Sequence, residues 1–346
     1  MQITSVQNPQ VKRLLKLRDR RARDAEGMML IEGGEEIALA LDAGVALQSA
    51  WLCPTLPRFA RQSGLRRRLS EGSVPVTEVS EAVFGKLAYQ ENPDGWLALA
   101  PTLKPELDGL RLPQAPLLLV CEAIEKPGNL GAMLRTADAA GAHALIVCDP
   151  VTDVNNPNVI RASRGAVFSV PIAVASTAEV LAWLHLRQIQ VVAATPAATA
   201  TYASVDLRGP IAIAVGAEDV GLSTAFLARA DVTVRIPMVG RVNSLNVSAS
   251  AALLLYLRRA APIRSRPSTR PLTNSTPHAP RSAYCPRSPT RLNSRPCPNT
   301  SVCSPLRPHA ERELWRMIEP SPERGGQIRR RSRTHLPESV GFVAPP

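Results

Sequence analysis

The sequence predicts an α/β protein whose larger domain is built on a parallel sheet with helices on both faces. Two observations carry this. From Pro116 on, short runs that are apolar along their whole length, such as "PLLLVC", "ALIVC" and "IAIAV", alternate with stretches of helical period. Strands apolar on both faces must be covered on both, and crossover helices between parallel strands supply that cover. The second observation is where the polar residues fall: glycine, asparagine and charged residues gather directly after the strands, in "EKPGN", "DPVTDVNN", "GAEDVG" and "PMVGRVNSLN". In open parallel sheets ligands bind at the carboxyl ends of the strands, so chemistry is expected in those four segments.

Taken in order, residues 8–23 ("NPQVKRLLKLRDRRAR") read as one helix. Val11, Leu14 and Leu15 share one side with Leu17 at its edge, while Lys12, Lys16, Arg20 and Arg23 gather on another. The apolar side packs; the basic side faces either solvent or phosphate. Short strands and helical stretches from "MMLIEG" to "GWLALA" then form a small α/β unit, giving a domain over residues 1–100. The proline-punctuated "PTLKPELDGLRLPQAP" makes 101–115 a linker. The main domain, 116–260, carries strands over Leu117–Cys121, Ala144–Cys148, Val170–Ala175, Val191–Ala194, Ile211–Val215 and Val232–Ile236. Its helices start at Asn129, Asn158, Ala178, Ser223 and Leu245.

With 346 residues, 45% of them hydrophobic, the chain can build a core for two domains. It has no run of about 18 apolar residues, and its N-terminus turns basic where a signal peptide turns apolar. A cytoplasmic protein with no membrane partner is expected. The six cysteines form no C-x-x-C pair, and Cys53, Cys121 and Cys148 lie in or beside apolar runs, so neither a metal site nor a disulfide framework is expected. The net charge is +12, yet residues 261–346 hold 15 Arg and no Lys against 5 Glu. This segment also has 16 of the 32 prolines and no sustained period, and is expected to be a basic, disordered tail. It either adds non-specific nucleic-acid affinity or is a non-functional, out-of-frame extension.

"GNLGAMLRTADAAG", residues 128–141, looks like a phosphate loop but has the spacing of neither a dinucleotide fingerprint nor a P-loop. Gly128, Gly131 and Gly141 suit a tight helix entry, close helix packing and a C-terminal cap. Arg135 sits about two turns into the helix, and is either held by Asp138 or another carboxylate or kept free for chemistry. "IAIAVGAEDVGLS" ends a strand in a turn with Glu218 and Asp219, closed by Ser223 as a helix cap. "IPMVGRVNSLNVSASAALLLYLRR" places Ser244 and Asn246 at the mouth of an apolar helix.

In this order on this sheet pattern, the three stretches resemble the three motifs of the SpoU (TrmH-type) family of SPOUT methyltransferases. The first is matched by Asn129, Gly131, Arg135, Thr136 and Ala137, the second by Gly216, Glu218, Gly221 and Leu222. The third is matched by Ile236, Pro237, Met238, Ser244, Leu245 and Asn246. Lys126 stands before Pro127 where the family often has an acidic residue, a departure that touches substrate choice more than catalysis. The resemblance implies a domain with a deep trefoil knot, an exception to the rule against knots, preceded by an L30e-like substrate-binding domain. It also implies S-adenosylmethionine as cofactor, RNA as partner and a homodimer.

By the same resemblance, Gly216, Ile236 and Leu245 mark the loops that hold the cofactor. Arg135 is the catalytic arginine, Asn129 and Glu218 position it and the RNA, and Ser244 and Asn246 supply hydrogen bonds to the site. Arg135 either orients the phosphate beside the ribose hydroxyl or accepts its proton, the latter against the ordinary basicity of arginine. Arg161 and Arg164, which open a predicted helix, grip RNA phosphates or lie on a solvated helix in which Gly165 permits close packing. The expected reaction is 2′-O-methylation of RNA, of 23S rRNA before tRNA, with resistance methylation of the large-subunit RNA a third possibility. A non-catalytic RNA-binding or ribosome-assembly role is the rival.

Overall fold

The computed structural model describes residues 2–62 and 64–260. The tail expected over 261–346 lies outside the described residues. The N-terminal part runs through β1 (Gln2–Ile3), α1 (Pro9–Lys16), α2 (Arg20–Glu26), β2 (Met28–Glu32), α3 (Gly34–Asp42) and β3 (Ser49–Leu52). It continues with α4 (Leu65–Glu71), β4 (Val76–Val79), α5 (Glu81–Leu87) and β5 (Trp96–Pro101). These strands form a mixed sheet in the order β1-β4-β3-β5-β2, in which β5 runs antiparallel to both β2 and β3.

The helix expected over 8–23 is broken. Asp19 ends the first half because its carboxylate accepts hydrogen bonds from the backbone of Arg21 and Ala22 and so caps α2. Past the break the helical register turns, and Arg23 leaves the basic face it was expected to share. It is only 1% exposed, donates to the Leu17 and Arg18 carbonyls, and pairs with Asp153 at 2.7 Å. Val11, Leu14 and Leu17 are buried, whereas Lys12, Lys16 and Arg20 face solvent.

The second part contains β6 (Leu117–Glu122), α6 (Pro127–Ala140), β7 (Ala144–Cys148), α7 (Pro157–Ala162), α8 (Ala166–Ser169) and β8 (Ile172–Ala175). After these come α9 (Thr177–Leu186), β9 (Gln190–Ala194), β10 (Ile211–Val215), α10 (Thr224–Arg229), β11 (Val232–Val234) and α11 (Val247–Ala260). The strands form one parallel sheet in the order β11-β9-β10-β6-β7-β8. β6, β7 and β10 are buried at every position, as apolar runs of this kind require. The last strand stops at Val234, two residues short of the expected end, and β8 starts two residues late at Ile172, following Pro171.

Among the glycines of α6, Gly141 caps the helix with φ 63°, and its N–H meets the Ala137 and Asp138 carbonyls. At Gly131 a Cβ would lie 2.4 Å from the Ala162 Cβ, so its absence lets α6 and α7 touch. Gly128 has open space around it and no positive φ, so the tight entry expected of it is not what its position requires. Arg161 closes α7 in its last turn, and Arg164 lies beyond it at φ 50°; neither opens a helix. One apolar cluster passes from Met29 and Ile31 through Val159, Ile160 and Ala166 to Leu130 and Leu134. Cys53, Cys121 and Cys148 are buried and free. No helix among the described residues is long and apolar enough to cross a membrane.

Candidate active site

The strand order places β6 beside β10, with Cys121 in register with Val215, so the loops leaving these two strands emerge side by side. This is where the direction of strand addition reverses, the usual position of a ligand crevice in an open α/β sheet. There the Asn129 side-chain amide donates to Glu218 Oε1 at 2.5 Å, and the Glu125 backbone N–H donates to Glu218 Oε2 at 3.4 Å. Asn246 donates its own amide to Asn129 Oδ1 at 3.1 Å. One residue from each of the three motifs is thus joined in a chain of hydrogen bonds.

Burial pushes the Glu218 carboxyl up, but hydrogen bonds from the Asn129 amide and from the backbone of Glu218, Glu125 and Lys126 outweigh it and hold the group below the usual carboxylate range. Asn246 has a second task. Its Oδ1 accepts from the Ser248 N–H at 2.9 Å and its carbonyl from the Ser250 N–H, so it also caps α11.

Ser244 and Leu245 lie on the exposed loop between β11 and α11, and Ile236 at its start is half-buried. Backbone groups of residues 236–245 make no hydrogen bond within the described residues, so their N–H and C=O groups are open to a ligand. At Gly216 a Cβ would fall 2.1 Å from the Gly221 carbonyl carbon, so only glycine allows the 216–221 turn to fold back on its own strand end. A tight turn bearing a carboxylate and a loop of free backbone groups fit a cofactor with amine, carboxylate and heterocyclic polar atoms.

Arg135 stands apart from this chain. It is exposed and its side chain makes no ion pair or hydrogen bond among the described residues, while Asp138, its expected partner, accepts from the Ser169 hydroxyl at 3.1 Å. It lines a separate cleft of about 660 Å³ with Thr136, Arg164, Ala252 and Tyr256.

Sequence reasoning missed Glu122. This carboxylate, 5% exposed at the end of β6, accepts from the Thr177 hydroxyl at 2.8 Å and from the hydroxyl and N–H of Ser223, each at 2.7 Å. It pins the starts of α9 and α10, and with the latter the end of the Gly216–Ser223 turn. The available signal was an acidic residue closing an otherwise apolar strand.

An all-parallel sheet with polar loops gathered at its switch point and a loop of open backbone groups is the architecture of a ligand-binding α/β domain. The profile of the SpoU rRNA Methylase family matches residues 116–256, and that of the MRM3-like substrate binding domain matches 8–98. A protein of Synechocystis sp. described as an uncharacterized tRNA/rRNA methyltransferase is 34% identical over 258 residues, covering 74% of this chain and 93% of its own. A 23S rRNA (uridine(2479)-2′-O)-methyltransferase of Streptomyces viridochromogenes is 30% identical over 263 residues, covering 74% of this chain and 90% of its own. A crystal structure described as an RNA 2′-O ribose methyltransferase superposes with a TM-score of 0.68 at 45% identity, covering 75% of this chain and 98% of that one. An AdoMet-bound rRNA methyltransferase from Sinorhizobium meliloti gives 0.69 at 28% identity, covering 75% and 97%. This chain belongs to the SpoU family of RNA methyltransferases, and its cofactor is S-adenosylmethionine.

Proposed function

We propose that the protein methylates a ribose 2′-hydroxyl of 23S rRNA, with Arg135, Asn129, Glu218, Ser244 and Asn246 as its working residues. The observation that carries this reading is the union of Asn129 in the first turn of α6 with Glu218 and Asn246 on two loops, at the carboxyl end of the sheet. The preference for 23S rRNA rests on relatives such as the Streptomyces viridochromogenes enzyme. S-adenosylmethionine, when bound, supplies the methyl group as an electrophilic sulfonium. The turn at Gly216 and the loop from Ile236 to Leu245 would hold it through backbone groups.

A ribose hydroxyl is a poor nucleophile and must lose its proton as it attacks. An arginine in contact with solvent holds its own proton, which favours Arg135 as the group that fixes the RNA phosphate beside the reacting hydroxyl. Glu218, kept ionised by its donors, locks Asn129, and Asn129 in turn locks Asn246 at the head of α11. Ser244 offers a hydroxyl to the RNA from the same loop. Fixing several groups before the substrate arrives lowers the entropic part of the barrier.

A homodimer is part of the proposal. Leu253 and Tyr256 on α11 are 42% and 51% exposed, and Tyr256 lines the Arg135 cleft. A second copy seated on this face would cover them and bring Arg135 into the interface.

The test is incubation of the purified protein with tritiated S-adenosylmethionine and, separately, rRNA and tRNA from a methylation-deficient strain, followed by nuclease mapping of the label. Label on a ribose of 23S rRNA is the expected result. Label confined to tRNA would overturn the substrate, and no label with the cofactor bound would favour a non-catalytic RNA-binding role.

A further inference from the structure

A second cleft, about 270 Å³, lies where the two sheets' helices meet, between Glu36, Arg58, Arg61 and Asn92 on one side and Arg161 and Arg164 on the other. Its walls are held in place by close contact: a Cβ at Gly165, which sits at φ 79°, would lie 2.8 Å from Leu39 Cδ1 and 3.2 Å from Glu36 Cα.

Two features give the cleft a chemistry. Its arginines are largely unspent. The guanidinium groups of Arg61 and Arg161 make no hydrogen bond or ion pair among the described residues, that of Arg58 donates only to the Asn92 carbonyl at 3.3 Å, and that of Arg164 reaches Glu35 only at 4.0 Å. Beside them Glu36 is 8% exposed, yet its carboxylate meets no donor except its own backbone N–H. Gly33 makes room for it, since a Cβ there would stand 2.1 Å from Glu36 Oε2. A buried carboxylate without a partner is costly. Burial, with Asp94 and Glu35 adding repulsion, outweighs its own N–H and Arg164 and pushes its carboxyl up to about 7.

A simple anion does not use this mixture, because it would take up the arginines and leave the Glu36 carboxyl without a partner. A ligand with a negative phosphate and a donor-rich edge does. Among RNA bases only guanine presents two adjacent donors, N1–H and the N2 amine, to a carboxylate on its pairing edge, and single-stranded RNA is read through such edges. We propose that this cleft binds one unpaired guanine nucleotide of the RNA substrate, its phosphates on the arginines and its N1–H and N2–H edge on Glu36. Arg164 also lines the Arg135 cleft, so the guanine is a neighbour of the methylated nucleotide rather than the target itself. The assignment rests on the reading of the protein as an RNA methyltransferase.

The test uses the full chain and fluorescently labelled hexamers of oligouridine carrying one central guanine, adenine or hypoxanthine, the last lacking the N2 amine. The wild-type protein should bind the guanine hexamer about tenfold more tightly than the other two, the worth of one bidentate base contact. Glu36→Gln should abolish that preference while leaving the adenine hexamer unchanged, and Arg61→Ala should weaken all three alike. Equal binding of the three hexamers by the wild type, or a guanine preference that survives Glu36→Gln, overturns the proposal. The base swap on the wild-type protein decides the matter even if a variant fails to fold. Methylation of rRNA without guanine preference sinks this assignment alone, whereas failure of both hexamers and rRNA to bind sinks the RNA reading with it.

Discussion

Asn129 and Glu218, 89 residues apart in the chain, meet in one hydrogen bond because β6 and β10 are neighbours in the sheet. The bond holds Glu218 ionised. A carboxyl whose folded pKa lies below its unfolded value contributes stability above the unfolded pKa and loses it as pH falls through the folded one. Methyl transfer should therefore persist as pH drops into the usual carboxylate range. In Asn129→Ala the acid limb of the pH–rate profile should move upward and turnover at pH 7 should fall at least tenfold. A profile with an unmoved acid limb would show that Glu218 does not depend on Asn129.

The Arg135 side chain makes no hydrogen bond or ion pair among the described residues, so truncating it should leave the fold untouched. Arg135→Ala should abolish turnover while calorimetric titration with S-adenosylmethionine gives an unchanged Kd. Arg135→Lys should remain severely impaired if the planar fork holds a phosphate, since lysine offers only a point charge. Retained turnover in either variant would remove Arg135 from the reaction.

Glu36 gives a stability prediction with a definite sign. Its folded pKa, about 7, stands above the ordinary value of 4.5. Between these values the unfolded chain is ionised and the folded one is not, so the group destabilises the fold increasingly as pH rises, by about 3 kcal/mol at the plateau. Glu35, Asp94, Arg58, Arg61, Arg161 and Arg164 face the same cleft. Denaturation curves of Glu36→Gln should coincide with wild type near pH 4 and show the variant more stable at pH 8. A constant difference across that range would contradict the assignment.

The Arg23–Asp153 pair, Arg23 being 1% exposed, is the kind of bridge whose breakage is costly. Arg23→Ala should lose about 3–5 kcal/mol in urea unfolding, because it strands a carboxylate and two carbonyls. Replacing both partners, Arg23→Met with Asp153→Leu, should recover much of that loss. If the double variant is as unstable as the single one, the pair is not the source.

Gly131→Ala adds one methyl group, yet it should lower Tm by several degrees, since the new Cβ would press into Ala162 and the Ser163 backbone. Gly128→Ala, with open space around it, should leave Tm unchanged or raise it slightly.

What the sequence made legible follows from the range of the forces involved. The apolar runs of β6, β7 and β10 and the caps at Gly141 and Ser223 are local features, written in adjacent residues, and they are where they were expected. The motif order likewise pointed to the family and its cofactor. The break at Asp19 was less visible because a short capping side chain overrode an otherwise continuous helical pattern. Hidden altogether were the partners of buried charge. Nothing near Arg23 in the chain announces Asp153, and nothing near Glu122 announces Thr177 and Ser223. Such pairings are set by which loops the sheet order brings together.

The contact between Asn246 and Asn129 also governs when the site comes into being. The two residues are 117 positions apart, and α11, which Asn246 caps, packs on α6. A nascent chain can complete β6, α6 and β7 early, but it has no closed site until α11 has left the ribosome and returned to the first helix of the domain. Closing so long a loop late makes folding slow. It also leaves the candidate site incomplete through most of synthesis, since the site closes only after 260 of the 346 residues have been made.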